Sequence, residues 1–311
     1  MGSIVVCALV FAGCSPASDG SGEQPTSSAS AVDEVQWPVV IDDAELAVLD
    51  FEAQPASSDA RILALAVGSG ELIELLGAGD QLVGRDETSA TPEEVPIVTS
   101  AHQVQIEEAL AFEPTVVLVD ELSGPPEAIA ALGRTGARIV QVPSVWTLSD
   151  IPDRVAALAE GVGVDQSTAD ALAVALTPSA QAPSTNAPRV AFLYLRGPSA
   201  VYLLGGANTG ADALIEAAGA VDVGAELGLD GFVPLTAEAI VEADPDVLLV
   251  MSDGLASVGG IDGLRSLPGI AQTSAGQRER VVVVDDRTLL SFGSRTPALV
   301  EKLSEAFAGV A

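Results

Sequence analysis

The chain has 311 residues, enough for one large or two modest domains, and its hydrophobic fraction of 48% can fill a core. The formal net charge is −31, from 44 acidic residues against 13 basic ones, so nucleic-acid phosphates repel it and nucleic-acid binding is excluded. Both cysteines, Cys7 and Cys14, stand near the N-terminus, which leaves the body of the chain without material for a disulfide framework or a thiolate metal site.

Residues 4–12 (IVVCALVFA) form an apolar run. It is shorter than the roughly 20 residues a membrane-spanning helix needs and has the length of a signal-peptide core. The run leads into Ala12-Gly13-Cys14, which resembles the bacterial lipobox. The resemblance implies a lipoprotein signal over residues 1–14, lipidation at Cys14, and an extracytoplasmic protein anchored to the cell membrane. Residues 15–30 are rich in Ser, Gly, Pro and acids and cannot bury enough surface to fold, so a flexible tether is expected over 15–37.

Residues 61–67 (RILALAV) read as a buried strand that runs through Gly68-Ser69-Gly70 into a helix. Further strands are expected at 81–83, 97–98, 116–119 and 138–141, with helices between them. This alternation implies a parallel sheet and an N-terminal lobe over 38–148. After Asp150, apolar positions at Val155, Leu158, Val162, Ala169, Leu172 and Leu176 predict one long helix, a stiff spine within a linking region at 149–188. A second set follows in a C-terminal lobe over 189–311. Its strands are at 189–195, 201–204, 246–251 and 280–284, and its helices start near Thr209 and Thr296.

The halves echo each other. Residues 70–84 and 210–224 both begin and end on Gly at the same spacing, around a short amphipathic helix and a strand. Residues 107–119 (EEALAFEPTVVLV) and 238–250 (EAIVEADPDVLLV) both end a helix before Pro and start a buried strand. The fold class predicted is α/β, with two Rossmann-like lobes of parallel sheet joined by a single long α-helix.

Over residues 60–310 these features resemble the class III substrate-binding proteins of ABC importers. The resemblance implies the class III periplasmic-binding-protein fold and a carrier rather than an enzyme. It also implies a small ligand (a siderophore, cobalamin or haem) between the lobes, and a permease with its ATPase as partners. A narrower resemblance, to the haem-binding lipoproteins of the HmuT type, rests on Gly84-Arg-Asp-Glu-Thr-Ser89, on His102 ahead of Glu107-Glu-Ala-Leu110, on Tyr194-Leu-Arg196, on Thr209-Gly-Ala-Asp212, and on residues 290–297 (LSFGSRTP). It implies haem b as the transported ligand, not a catalytic cofactor. His102 and Tyr194 would ligate the iron from opposite lobes, with Arg196 supporting the tyrosine. The loop Ser100-Ala101-His102-Gln103 lacks a Gly associated with that pattern.

The residues can also be read without the resemblance. His102 is the only histidine, in a strand-to-helix loop at the carboxyl end of a strand, where open α/β sheets bind ligands. A solvent-facing loop histidine is the alternative. Tyr194 and Arg196 stand two apart on a strand, on one face and roughly 7 Å from each other. That lets the guanidinium reach the phenol oxygen, and a nearby cation favours a phenolate, a known type of haem ligand. The alternative is a tyrosine packed on its neighbours with the arginine in solvent. Phe192, Tyr202, Phe232 and Phe292 are candidate apolar walls, with core packing the favoured reading of Phe192. Arg85 and Arg295 are candidate partners for haem propionates. Glu87 and Glu226, at nearly matching places after Gly84 and Gly224, are a candidate pair for docking to permease arginines.

Enzyme readings find little support. Gly68-Ser-Gly70 continues without the third glycine of a dinucleotide fingerprint, and Gly210 is followed by Ala211-Asp212 rather than by the lysine of a phosphate loop. A single histidine does not make a zinc-carrier site. A siderophore or cobalamin carrier of the same class remains the alternative, one that has no need of His102 with Tyr194.

Overall fold

Val116–Val119 and Val281–Val284 are unbroken apolar runs buried along their whole length, the mark of strands covered on both faces. Each lies inside one of two sheets in the computed structural model, which describes residues 35–56, 58–100, 102–182 and 184–310. The expected lipidation site Cys14 and most of the tether expected over 15–37 lie outside the described residues.

In chain order the strands are β1 (Val39–Ile41), β2 (Ile62–Ala64), β3 (Leu82–Arg85), β4 (Thr99–Ser100), β5 (Gln103–Val104), β6 (Val116–Val119), β7 (Arg138–Gln141), β8 (Arg189–Arg196), β9 (Val201–Gly205), β10 (Val221–Asp222), β11 (Phe232–Pro234), β12 (Val247–Met251) and β13 (Val281–Val284). The helices used below are α1 (Ser69–Leu75), α2 (Ile106–Ala111), α3 (Pro126–Arg134), α4 (Ile151–Val162) and α5 (Gln166–Leu176).

The first sheet runs β3-β2-β6-β7 and is parallel throughout. Helices connect its strands, as the alternation predicts. The second runs β1-β13-β12-β8-β9-β11, with β10 also beside β8. It is parallel from β1 to β8, and β9 runs antiparallel to both of its neighbours, β8 and β11. This corrects the expectation of two wholly parallel sheets: the short connection between β8 and β9 leaves no room for the crossover a parallel pair requires. The second echo is visible in the backbone. The residues before Pro114 and Pro245, Glu113 and Asp244, both turn left-handed, at φ 44° and 37°, where α2 and the helix Ala237–Ala243 give way to strands.

Two further expectations are corrected. The predicted spine is not one helix. Gly163, at φ 78°, closes α4, and the Asp165 side chain accepts the Thr168 N–H at 3.0 Å to open α5. The two helices pack on each other, with Val155, Leu158, Leu172 and Leu176 buried in the main core. A left-handed Gly followed by an Asp cap is a stop and a start. The apolar positions had hidden both, because they keep their spacing across the break. The second correction concerns the N-terminal boundary: β1 pairs with β13 in the second sheet, not in the lobe assigned to residues 38–148. Trp37, inside the expected tether, packs against the core.

Residues 290–295 form the seam between the sheets. A Cβ on Gly68, at the start of α1, would stand 3.2 Å from the Ser291 carbonyl oxygen, and one on Gly210 would stand 3.0 Å from the Phe292 ring. At the seam's end the Ser294 N–H donates to Glu71 of α1 at 2.9 Å, and the Ser294 hydroxyl bonds the same carboxylate. Arg295 reaches Asp43 at 3.0 Å and Glu71 at 3.6 Å. Burial pushes the Glu71 carboxyl up to about 7, against the pull of the Ser294 N–H and of Arg295.

Candidate functional site

On the first sheet the site begins where β3 ends. Arg85 and residues 96–98 run side by side through Arg85 N–H to Pro96 O and Val98 N–H to Arg85 O, both 2.9 Å. The chain then turns through the β4–β5 hairpin, in which Ser100 pairs with Gln103. His102 is the second residue of the connection. With no glycine there, His102 itself adopts φ 60°, a left-handed conformation that costs a non-glycine residue about 1–2 kcal/mol.

Its backbone is held on both sides. The His102 N–H donates to Glu87 Oε1 at 2.8 Å, and the His102 carbonyl accepts from Gly124 N–H at 3.1 Å. The imidazole is 41% exposed, with Nδ1 at 3.7 Å from the same Glu87 oxygen. The neighbouring Asp86 is buried and gathers the Gly68 N–H, the Thr88 N–H and the hydroxyls of Thr88 and Ser89. Burial raises its carboxyl above the usual range while these donors oppose the shift. Arg154 of α4, also buried, donates to the carbonyls of Val67 and Pro143. Together these contacts tie the β3 loop to α1 and to the linking helices.

On the second sheet, Phe192, Tyr194 and Arg196 alternate along one face of β8. The Phe232 ring meets Tyr194 edge-on at 5.5 Å and Phe192 at 6.0 Å. Arg196 does not reach for the phenol oxygen, as the two-residue spacing had suggested. Its guanidinium carbon lies over the Tyr194 ring, 4.4 Å from the centroid. Its Nη1 donates to the Leu195 carbonyl at 2.9 Å, and its Nη2 stands 3.6 Å from Asp286. Asp286 is fixed in turn by the Asp253 N–H at 2.7 Å and the Ser252 hydroxyl at 3.1 Å.

The remaining candidates separate clearly. Phe232 is 37% exposed beside Tyr194, while Phe192 is wholly buried, in keeping with its core reading. Tyr202 lies opposite Leu195 across β8 and β9, so it occupies the face away from Tyr194 and packs in the second core cluster. Phe292 is a seam residue, 2% exposed, and Arg295 is committed to Asp43 and Glu71. Arg85 donates to the carbonyls of Val95, Asp86 and Ser89 in its own loop. These are the contacts that Arg85, Tyr202, Phe292 and Arg295, the candidates for propionate and wall roles, make in this structure.

The candidate docking residues lie as follows. Glu87 is turned onto His102. Glu226 is bonded to Arg189 at 2.6 Å, at the far end of β8 from Arg196, about 23 Å along the strand.

Sequence reasoning passed over Asp286, and also Trp146, whose Nε1–H donates to Glu121 at 3.2 Å. All three residues lie just past the carboxyl ends of parallel strands (β13, β7 and β6), the position that singled out His102.

A family model described as periplasmic binding protein matches residues 62–288. The periplasmic heme-binding protein RhuT from Roseiflexus sp. RS-1, in apo form, is 33% identical and superposes with a TM-score of 0.73, over 82% of this chain and 100% of that one. The heme-binding protein HmuT is 31% identical with a TM-score of 0.73, over 86% of this chain and 96% of its own. HmuT has also been solved with alanine at a histidine, at a tyrosine, and at the arginine two positions after that tyrosine. YvrC of Bacillus subtilis (strain 168), an uncharacterised ABC transporter substrate-binding lipoprotein, is 25% identical over 315 residues, which is 98% of this chain and 95% of YvrC.

Proposed function

The chain belongs to the periplasmic binding protein family, as a class III substrate-binding protein of an ABC importer and not an enzyme, and from that membership we propose that its cargo is haem b, held between His102 of one lobe and Tyr194 of the other. The observation that carries the reading is the Tyr194–Arg196 pair at the carboxyl end of β8, with the guanidinium over the ring. It reproduces the spacing of the tyrosine and arginine altered in HmuT.

Each group has a defined task in this reading. The Tyr194 oxygen is an anionic ligand suited to ferric iron. Arg196 offsets the negative charge of a bound phenolate from the ring side. The imidazole of His102 supplies the opposing ligand, so the iron bridges the lobes. The exposed part of Phe232 offers an apolar edge to the porphyrin, whose burial releases water and supplies much of the affinity. Delivery is to a permease and its ATPase. The protein works outside the cytoplasm, tethered through lipidated Cys14, a reading supported by the lipoprotein assignment of YvrC. Cys14→Ala is expected to release it from the membrane fraction.

The test is an absorption titration with ferric haem of the wild type, His102→Ala and Tyr194→Ala. A saturable Soret shift that each substitution alters is the expected result. Absence of a shift in the wild type overturns the haem reading and moves the cargo to a ferric siderophore or cobalamin on the same fold.

A further inference from the structure

We propose that Glu87 is a positioning residue for His102: its carboxylate fixes the backbone of the hairpin and selects the Nδ1–H form of the imidazole, leaving the Nε2 lone pair outward for a ligand. Three observations support it. One Glu87 oxygen, Oε1, faces both nitrogens of the same residue, accepting the His102 N–H at 2.8 Å and standing 3.7 Å from Nδ1. The second separation is longer than a hydrogen bond, but a carboxylate at that range still favours a proton on the nearer nitrogen over the farther one. The other oxygen, Oε2, is shut off from solvent and has no hydrogen-bond partner among the described residues. An ionised carboxylate accepts through both oxygens, so this one holds acceptor capacity that nothing else in its surroundings uses.

Glu87 is itself rigidly placed. Its N–H donates at 3.0 Å to Oγ1 of Thr99, the buried residue at the base of the hairpin it supports, and it follows directly on Asp86, which is locked into the α1 and β3 loops. The orientation of the imidazole is thereby referred back to the core of the first sheet and not left to an exposed hairpin tip. An acceptor facing Nδ1 is the arrangement that sets the tautomer and ring orientation of metal-bound histidines. The functional consequence rests on the haem reading; the tautomer itself does not.

Because His102 is the only histidine, labelling the protein with 15N-histidine gives a single imidazole to observe, provided no histidine tag is present. With the ring neutral, the ligand-free wild type is expected to show Nδ1 protonated and Nε2 bare. Glu87→Ala is expected to revert toward a free imidazole, in which the Nε2–H form dominates. The near-isosteric Glu87→Gln, which keeps the backbone contact through its carbonyl oxygen and loses the charge, should fall between them. With ferric haem, the Glu87→Ala spectrum should move toward that of His102→Ala, with affinity reduced roughly 10-fold, the lower end of such effects. The same tautomer in the wild type and both variants overturns the assignment, as does a Glu87→Ala haem spectrum identical to wild type. If the wild type binds no haem, the cargo reading fails while the tautomer comparison still decides the role of Glu87.

Discussion

Arg196 is held between two partners, with its guanidinium carbon 4.4 Å from the centre of the Tyr194 ring and its Nη2 3.6 Å from the Asp286 carboxylate. Asp286 therefore governs where the cation sits. A cation over an aromatic face is stabilising by about 0.5–2 kcal/mol. Arg196→Ala is accordingly expected to weaken ferric haem binding about 10-fold while leaving a Soret band, since the tyrosine oxygen remains. Asp286→Asn should give a smaller loss in the same direction. Titrations of the two variants and of their combination check this; an additive double variant would show that Asp286 does not act through Arg196.

Glu71 makes stability depend on pH in a defined direction. Its carboxyl is raised by burial from 4.5 to about 7 in the folded protein. Between these values the native state holds a proton that the unfolded chain has released, so stability falls as pH rises through that window. Asp222, raised by burial from 3.8 to about 7, adds the same sign. Urea unfolding at pH 5 and pH 8 should find the protein more stable at pH 5. Glu71→Gln should flatten the Glu71 share of the slope, about 3 kcal/mol at most, and should stabilise the protein at pH 8.

The break between α4 and α5 can be tested at one glycine. A Cβ on Gly163 would meet nothing within 4 Å, yet the residue sits at φ 78°. Gly163→Ala should therefore cost only backbone strain, about 1 kcal/mol, read as a lower urea midpoint at unchanged slope. Gly224→Ala is the contrast. Its Cβ would fall 1.9 Å from the Gly205 carbonyl oxygen, a backbone clash that no side-chain rotation relieves. The expected loss is several times larger, about 3 kcal/mol or more.

Glu226 is expected to be silent in transport. Its carboxylate is 49% exposed and paired with Arg189, an arrangement worth at most about 1 kcal/mol. Glu226→Lys should leave cargo affinity and uptake by the intact importer unchanged and lower stability slightly. A selective loss of uptake would restore it as a docking residue.

Much of the architecture was legible because apolar runs met sharp punctuation. Strands 116–119 and 138–141 were placed to the residue, since Pro114 and Gly136 leave no other start. The Pro114/Pro245 echo was equally readable; the Gly84/Gly224 echo held only in part, since Gly84 lies in β3 whereas Gly224 lies in the short helix Val223–Glu226. The linking region misled for the opposite reason: apolar spacing carries across Gly163 and Asp165 unchanged, and only the cap signals mark the break. The antiparallel β9 and the pairing of β1 were hidden because strand direction and distant partners leave no local trace. At the site, His102 was expected in a strand-to-helix loop after residues 97–98, and it stands instead in the tip of the β4–β5 hairpin that precedes α2. The direction taken by each long side chain could not be inferred. Arg85, Arg295 and Glu87 each had several partners within reach, and the choice among them is made by burial and loop geometry distant in sequence.

The pairing of Val39 with Val282 sets an order on assembly. The first of the described strands, β1, cannot find its neighbour until nearly all of the polypeptide has been synthesised. Until then the edge of β13 does not exist, and Val40, 60% exposed even in the finished protein, has nothing to pair with. The first sheet has all its strands by Gln141 and can form while the remainder is still being made, whereas the second must recruit its outer strand across the whole length of the molecule. Closing such a long loop is a slow, late event. Among the described strands, the pairing that completes this edge is the one that spans the most sequence.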